Sequence, residues 1–134
     1  MVLEKLETQY IGRNLLYRKT IDSTQKEAWR LVRQKNIQNG SLIMADTQTD
    51  GIGTHGRKWH TDADGNIAFS IVLYPNCKIE KLNDITLEIA NIIVKVFEKL
   101  YQINLNIKNP NDIFYNGKKL GGILTETKVS GEIV

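Results

Sequence analysis

Gly51-Ile52-Gly53-Thr54-His55-Gly56-Arg57-Lys58-Trp59 sets three glycines within six residues and follows them with two cations. Glycines so spaced let successive backbone N–H groups face a ligand, and the adjoining cations add positive charge, a combination suited to phosphate or another anion. The spacing is also G-x-G-x-x-G, which opens a helix in dinucleotide-binding folds. Here the glycines run into Trp59-His60-Thr61-Asp62-Ala63-Asp64-Gly65, a turn-like stretch without helical apolar periodicity, so the dinucleotide reading fails on context. Residues 47–65 read instead as a long loop, tethered at both ends by sheet and able to close over a reactant.

Working outward, Asn14–Thr20 reads as a strand, and Ala28, Leu31 and Val32 follow at helical spacing, so a helix starts near Ser23. Asp22, Ser23 or Thr24 can cap its free N–H groups, with Gln25 and Lys26 in its first turn. A second use of this corner is that one hydroxyl caps while the other bonds a polar ligand over the helix start. Asn39-Gly40 turns into a strand over Ser41–Asp46, whose end delivers Gln48 to the glycine loop. Gln48 carries a donor and an acceptor, the complement of an amide or ureido group. A third strand is expected over Asn66–Leu73, ended by Pro75.

From Asn83 to Leu100, Leu87, Ala90, Ile93, Val94 and Phe97 recur every three or four residues, and Ile85, Ile89, Ile92 and Val96 widen the stripe. That pattern predicts a scaffold helix lying in a groove, exposed only at charges such as Glu88, Lys95 and Glu98. Asn104–Lys108 reads as a strand entering Asn109-Pro110-Asn111-Asp112, where Pro110 favours an extended Asn109 and places Lys108 on a buried strand beside a rigid turn. A lysine there can neutralise a carboxylate and then a phosphate, while Asp112 can position magnesium or orient Lys108. Asn116-Gly117 predicts a tight hairpin turn within Ile113–Leu120, and Leu120–Glu126 returns as a strand. Its paired Gly121 and Gly122 let a flat ligand approach the backbone.

A length of 134 residues is one domain's worth, and 41% apolar with 25% charged residues is ordinary globular composition. No apolar run approaches the roughly 18 residues of a membrane span. The formal charge of +3 is compatible with phosphorylated partners, but the basic residues are dispersed without interleaved aromatics, which argues against nucleic acid. The N-terminus lacks a signal-peptide core and Cys77 is the only cysteine, so a cytoplasmic setting is expected. Ser23 and Ser70 lack a nearby histidine in sequence, and His55 with His60 gives only two nitrogen ligands, so neither covalent nor zinc catalysis is indicated. What remains is two glycine-rich surfaces, a strand-borne lysine and an amide side chain, suited to a small acid and a nucleotide.

These residues resemble the catalytic domain of biotin protein ligases, which are related to lipoate ligases. The likeness runs through Asp22-Ser23-Thr24, Ala45-Asp46-Thr47-Gln48, Gly51 to Trp59, Gly65-Asn66 before Ser70, Lys108 to Asp112, and Lys119 to Glu126. It implies an α/β (α+β) domain of class II synthetase-like type, a mixed sheet packed against helices. It also implies an activity: biotin and ATP, with Mg2+, form biotinyl-5′-adenylate and pyrophosphate, and a lysine of a biotin carboxyl carrier protein is then acylated. By matching positions, Ser23, Thr24, Gln25 and Gln48 would meet biotin, and Gly51, Ile52, Gly53, Thr54, Gly56 and Arg57 would form the adenylate loop. Trp59 would pack by the adenine, Gly121 and Gly122 against the biotin rings, with Asn111 and Asp112 nearby. Lys108 and Arg57 would be the catalytic cations, with no residue expected to hold a resident metal.

Three departures stand out. Ile52 and Thr54 occupy positions where the family usually has arginine, leaving Arg57, and Asn109 replaces the tryptophan of Lys-Trp-Pro-Asn-Asp. The family continues past the strand expected from Gly131 to Val134, so the chain is expected to be a truncated domain, completed by a second chain or a homodimer, or a noncatalytic biotin-binding relative. A lipoate or octanoate ligase is the further alternative. No helix-turn-helix precedes the domain, so repression of transcription is not expected.

Overall fold

The computed structural model describes residues 5–62, 64–108, 110–131 and 134. The backbone exit expected at Asn109, and Glu132 and Ile133 of the expected last strand, lie outside the described residues. The chain divides into two compact units, Met1–Pro75 and Asn76–Val134.

The first unit is a crossover closed by a returning strand. β1 (Leu15–Ile21) leads into α1 (Thr24–Arg33), and β2 (Leu42–Gln48) returns parallel to β1. β5 (Ala68–Ile71) pairs antiparallel with β2, which makes the sheet mixed, in the order β1-β2-β5. Ser23 caps α1, its hydroxyl accepting from the Lys26 N–H, while Glu27 sits in the first turn and Arg30 and Arg33 in the last, as the helix dipole favours. Thr24, Ala28 and Leu31 form its buried stripe. Ala28 and Leu31 meet Ile43 and Val72 in the core, with Leu16, Val32 and Ile37 at its edge. Fully burying Ile43 contributes roughly 1.5–3 kcal/mol. β5 alternates cleanly, with Ala68 and Ser70 buried and Phe69 and Ile71 exposed.

Between β2 and β5 the expected loop carries structure of its own. β3 (Gly51–Ile52) and β4 (Lys58–Trp59) pair as a short antiparallel hairpin around a 3₁₀ turn at Thr54–Gly56, in which His55 and Gly56 both have positive φ. Among the described residues the glycines open into this hairpin and not directly into an α-helix, as the dinucleotide pattern would need.

In the second unit α2 (Ile85–Tyr101) packs by β6 (Asn106–Lys108), the edge of a sheet ordered β6-β7-β8 with β7 (Asp112–Tyr115) and β8 (Lys118–Gly122). Asn116 and Gly117 both take positive φ, as the predicted two-residue hairpin turn requires. The register steps from Ile113↔Gly121 to Phe114↔Lys119, leaving Leu120 as a bulge. β8 ends at Gly122, where the sequence suggested a strand continuing to Glu126. Val134 exchanges backbone hydrogen bonds with Asn76 (3.0 Å) and Cys77 (2.8 Å).

α2 corrects one expectation. Ala90 is its one buried residue, whereas Ile92, Val96 and Leu100 are exposed, Leu100 to 63%. A three-stranded sheet offers one layer, and one layer covers one face of a helix that is apolar on two.

Candidate functional site

The first cluster grows from the end of β2. Gln48 Oε1 accepts from the Thr24 backbone N–H (2.9 Å) and from the Thr24 hydroxyl (3.1 Å), so this side chain supplies an acceptor to the start of α1. Its Nε2 donates to Thr61 Oγ1 at 3.2 Å, so donor and acceptor are both engaged and the amide is locked in orientation. Beneath it, buried Ser70 lies 3.0 Å from Thr24 Oγ1 and 2.9 Å from Gln25 Oε1, within donating reach of either. Ser23, also buried, is committed to the cap. The sequence left the two hydroxyls at this corner undivided; Ser23 caps the helix and Thr24 serves Gln48.

Charged pairs fix the corner. Arg30 donates two bonds to Asp22, at 2.8 Å each, and one to Glu27 at 2.6 Å. The guanidinium holds the Asp22 carboxyl well below the usual carboxylate range, with help from the Ser23 N–H. Lys26 pairs with Asp50, and the Asp50 N–H donates to the Asp22 carbonyl at 2.8 Å, so the entry to the glycine hairpin is tied to the start of α1. Two residues before Gln48 on β2, Asp46 accepts a hydrogen bond from the Tyr17 hydroxyl, which raises the phenol's pKa.

The glycines serve two purposes. A Cβ on Gly51 would come within 2.5 Å of the Trp59 carbonyl oxygen and 3.0 Å of Gln48 Nε2, so the β3–β4 pairing requires glycine there. Gly53 N–H donates to the Arg57 carbonyl (2.7 Å) and Arg57 N–H to the Thr54 carbonyl (3.2 Å). Two of the N–H groups expected to face a ligand therefore close the loop on itself. The Arg57 side chain is exposed and makes no hydrogen bond or ion pair among the described residues, so its guanidinium can take a phosphate. A cavity of about 200 Å³ opens where the hairpin meets Gln48, lined among others by Asp50, Gly51, Trp59, Thr61 and Asp62. Of the expected site residues, Gln48, Gly51 and Trp59 line it; Ile52, Gly53, Thr54, Gly56 and Arg57 stand on the hairpin outside it.

The second cluster lies on the β6–β7–β8 sheet. Lys108 is exposed at the end of β6, not buried as its strand suggested, and its Nζ sits 5.6 Å from the centroid of the Phe114 ring. Phe114 supplies aromatic contact at a lysine whose neighbour in sequence is Asn109. Asp112, opposite Lys108 in the ladder, is bonded by Lys119 at 2.8 Å. Gly122 pairs with Asp112 and Gly121 with Ile113, so the pleat sets the two glycines on opposite faces, only Gly122 sharing that of Lys108. Asn111 accepts from the Ile123 N–H at 2.8 Å through its carbonyl, holding the turn that leads into β7. Among the described residues no three His, Cys, Asp or Glu side chains gather to hold a metal. No described helix is long and apolar enough to cross a membrane.

The model of the biotin/lipoate A/B protein ligase family matches residues 17–134. The chain belongs to that family. As a biotin/lipoate ligase-family chain it is 40% identical over 129 residues to the bifunctional ligase/repressor BirA of Bacillus spizizenii, covering 96% of this chain and 39% of that one. It is 33% identical to the biotin–[acetyl-CoA-carboxylase] ligase of Paracoccus denitrificans, over 82% of this chain and 45% of the relative. The biotin protein ligase of Aquifex aeolicus, solved in complex with biotin and ATP, matches with a TM-score of 0.71 and 32% identity over 90% of this chain and 49% of that one. The mixed α/β architecture is thus that of the ligase catalytic domain, and this chain spans less than half the length of each of these relatives.

Sequence reasoning did not assign Ser70, Thr61, Phe114 or Lys119 to the site of this ligase-family chain. Ser70 carried a signal, a small polar residue at an inward position of β5 between Ala68 and Val72. The other three depend on a hairpin register or a loop path that spacing does not encode.

Proposed function

We propose that the chain is the biotin- and ATP-activating part of a biotin–[biotin carboxyl carrier protein] ligase of the cytoplasm. A biotin carboxylate oxygen attacks the α-phosphorus of ATP, pyrophosphate leaves, and the biotinyl-5′-adenylate then gives its acyl group to a carrier lysine with release of AMP. The observation that carries this reading is the Gln48 amide, held with its acceptor on Thr24 and its donor on Thr61 at the foot of the glycine hairpin. A ureido ring presents the complementary donor and acceptor and can exchange for these contacts, whereas a linear lipoyl or octanoyl chain would leave them unmatched. Arg57 offers charge to the phosphates, and Lys108 draws the carboxylate and α-phosphate together and offsets the charge that develops between them. Magnesium belongs to the ATP substrate, since Mg2+ retains waters and binds phosphates with few protein carboxylates.

A partner-dependent or noncatalytic biotin-binding role is the second reading, favoured by Ile52 and Thr54 where the family usually carries arginine. The deciding assay incubates the purified chain with biotin, radiolabelled ATP and magnesium and seeks biotinyl-adenylate by mass. Its appearance supports ligase chemistry in this chain. Biotin binding without adenylate assigns the second reading and calls for a completing chain.

A further inference from the structure

On β6–β7–β8 the pairing sets two rows of residues on one face. Lys108, Asp112 and Gly122 form the first row, and Asn106, Phe114 and Lys119 the second. A lysine directly opposite an aspartate ordinarily takes it as a partner and loses its charge to it. Here the contacts run along the diagonals instead. Lys119 Nζ reaches across to Asp112 Oδ1 at 2.8 Å, and Lys108 Nζ lies over the Phe114 ring. Lys108 forms no ion pair among the described residues. An aromatic face attracts an ammonium group through its quadrupole but brings no counter-charge, so it steadies the cation and leaves the charge intact. Gly122, closing the first row, keeps a side chain out of the space beside Asp112.

We propose that Phe114 is a positioning residue for Lys108, holding its ammonium ready for anionic substrate oxygens, while Lys119 occupies Asp112 and keeps that carboxylate from neutralising it. The role rests on the reading of Lys108 given above; the geometry does not. Phe114 touches no reacting atom and acts only through Lys108.

Two measurements test it. The ring current of Phe114 should shift the Lys108 ε-methylene protons upfield of those of the other lysines in the NMR spectrum of the whole chain. Phe114→Leu should abolish the shift, and Phe114→Trp should keep it. A Lys108 signal indistinguishable from other exposed lysines overturns the proposal. In adenylate formation, Phe114→Leu should lower kcat about two- to fivefold, the value of an exposed cation–π contact, with the KM for biotin and ATP little changed. Phe114→Trp should restore the rate, and Phe114→Leu should cost nothing further in a Lys108→Ala background. An equal loss in both backgrounds means that Phe114 serves the fold alone and overturns the role. A Lys108→Ala chain as active as its parent overturns the reading of Lys108 instead, and a persisting ring-current shift in the parent tells that failure from the first.

Discussion

The two units hold their functional groups in opposite ways. Around Gln48 each polar atom is engaged by Thr24 or Thr61, with Ser70 packed behind, and the ligand must trade into a completed network. Around Lys108 the cation is exposed and steadied by a ring that leaves its charge uncompensated. Recognition of a neutral polar ring requires oriented donors and acceptors, which cost little to exchange when the ligand matches them and much when it does not. Stabilising developing negative charge requires a cation that has not already spent itself on a neighbour. On the proposed function, the contrast is one between selectivity and catalytic charge.

Lys108→Ala probes the catalytic side most severely. Adenylate formation should fall by about 10²–10³, as for loss of one preorganised charge donor, while thermal unfolding barely changes because the side chain is exposed. Equal losses of fold and rate would erase the contrast. Gly51→Ala strikes the other side, forcing a Cβ against the Trp59 carbonyl and Gln48; the hairpin should loosen at a cost of about 1–3 kcal/mol in denaturant unfolding. Ser70→Ala sharpens the picture of the buried network, and should cost about 1 kcal/mol and weaken biotin binding in calorimetry. Unchanged biotin affinity would detach the network from the ligand.

The smallest effect is expected at Arg30, whose side chain is 38% exposed, as is that of Asp22. Arg30→Ala should lower stability only slightly at neutral pH, since the ion pair it removes is solvent-exposed. The Asp22 carboxyl is depressed in the folded chain, so its contribution is fully present above the unfolded value of about 4 and fades as the pH falls toward the depressed one. Urea unfolding of parent and variant should therefore converge in acid; a difference constant across the range would assign Arg30 a packing role alone.

Much of this was legible in the residues. The β1–α1–β2 crossover follows from a strand-like stretch, a cap among Asp22, Ser23 and Thr24 and helical spacing, all of which are local, and the hairpin at Asn116-Gly117 follows from turn chemistry. Gln48 and Lys108 were legible as chemistry at strand ends. Their neighbours were not. Thr61 reaches Gln48 through the path of a loop, and Phe114 and Lys119 reach Lys108 and Asp112 through register, neither of which leaves a periodic mark. The glycine motif was read for its N–H groups, although at Gly51 it is the approach of Trp59 that demands glycine. Apolar periodicity located α2 but could not say that its sheet covers a single face.

Leu120 bears on which length changes this chain could accept. The bulge is one residue more than a flat β7–β8 ladder needs, and its removal would leave Phe114 opposite Lys119 and Asp112 opposite Gly122. Losing a residue from the Asn116-Gly117 turn would instead slide the two strands past each other and carry Lys119 to the far face. A deletion at 120 thus keeps the pairs around Lys108, and one placed three residues earlier would exchange the side chains that surround it.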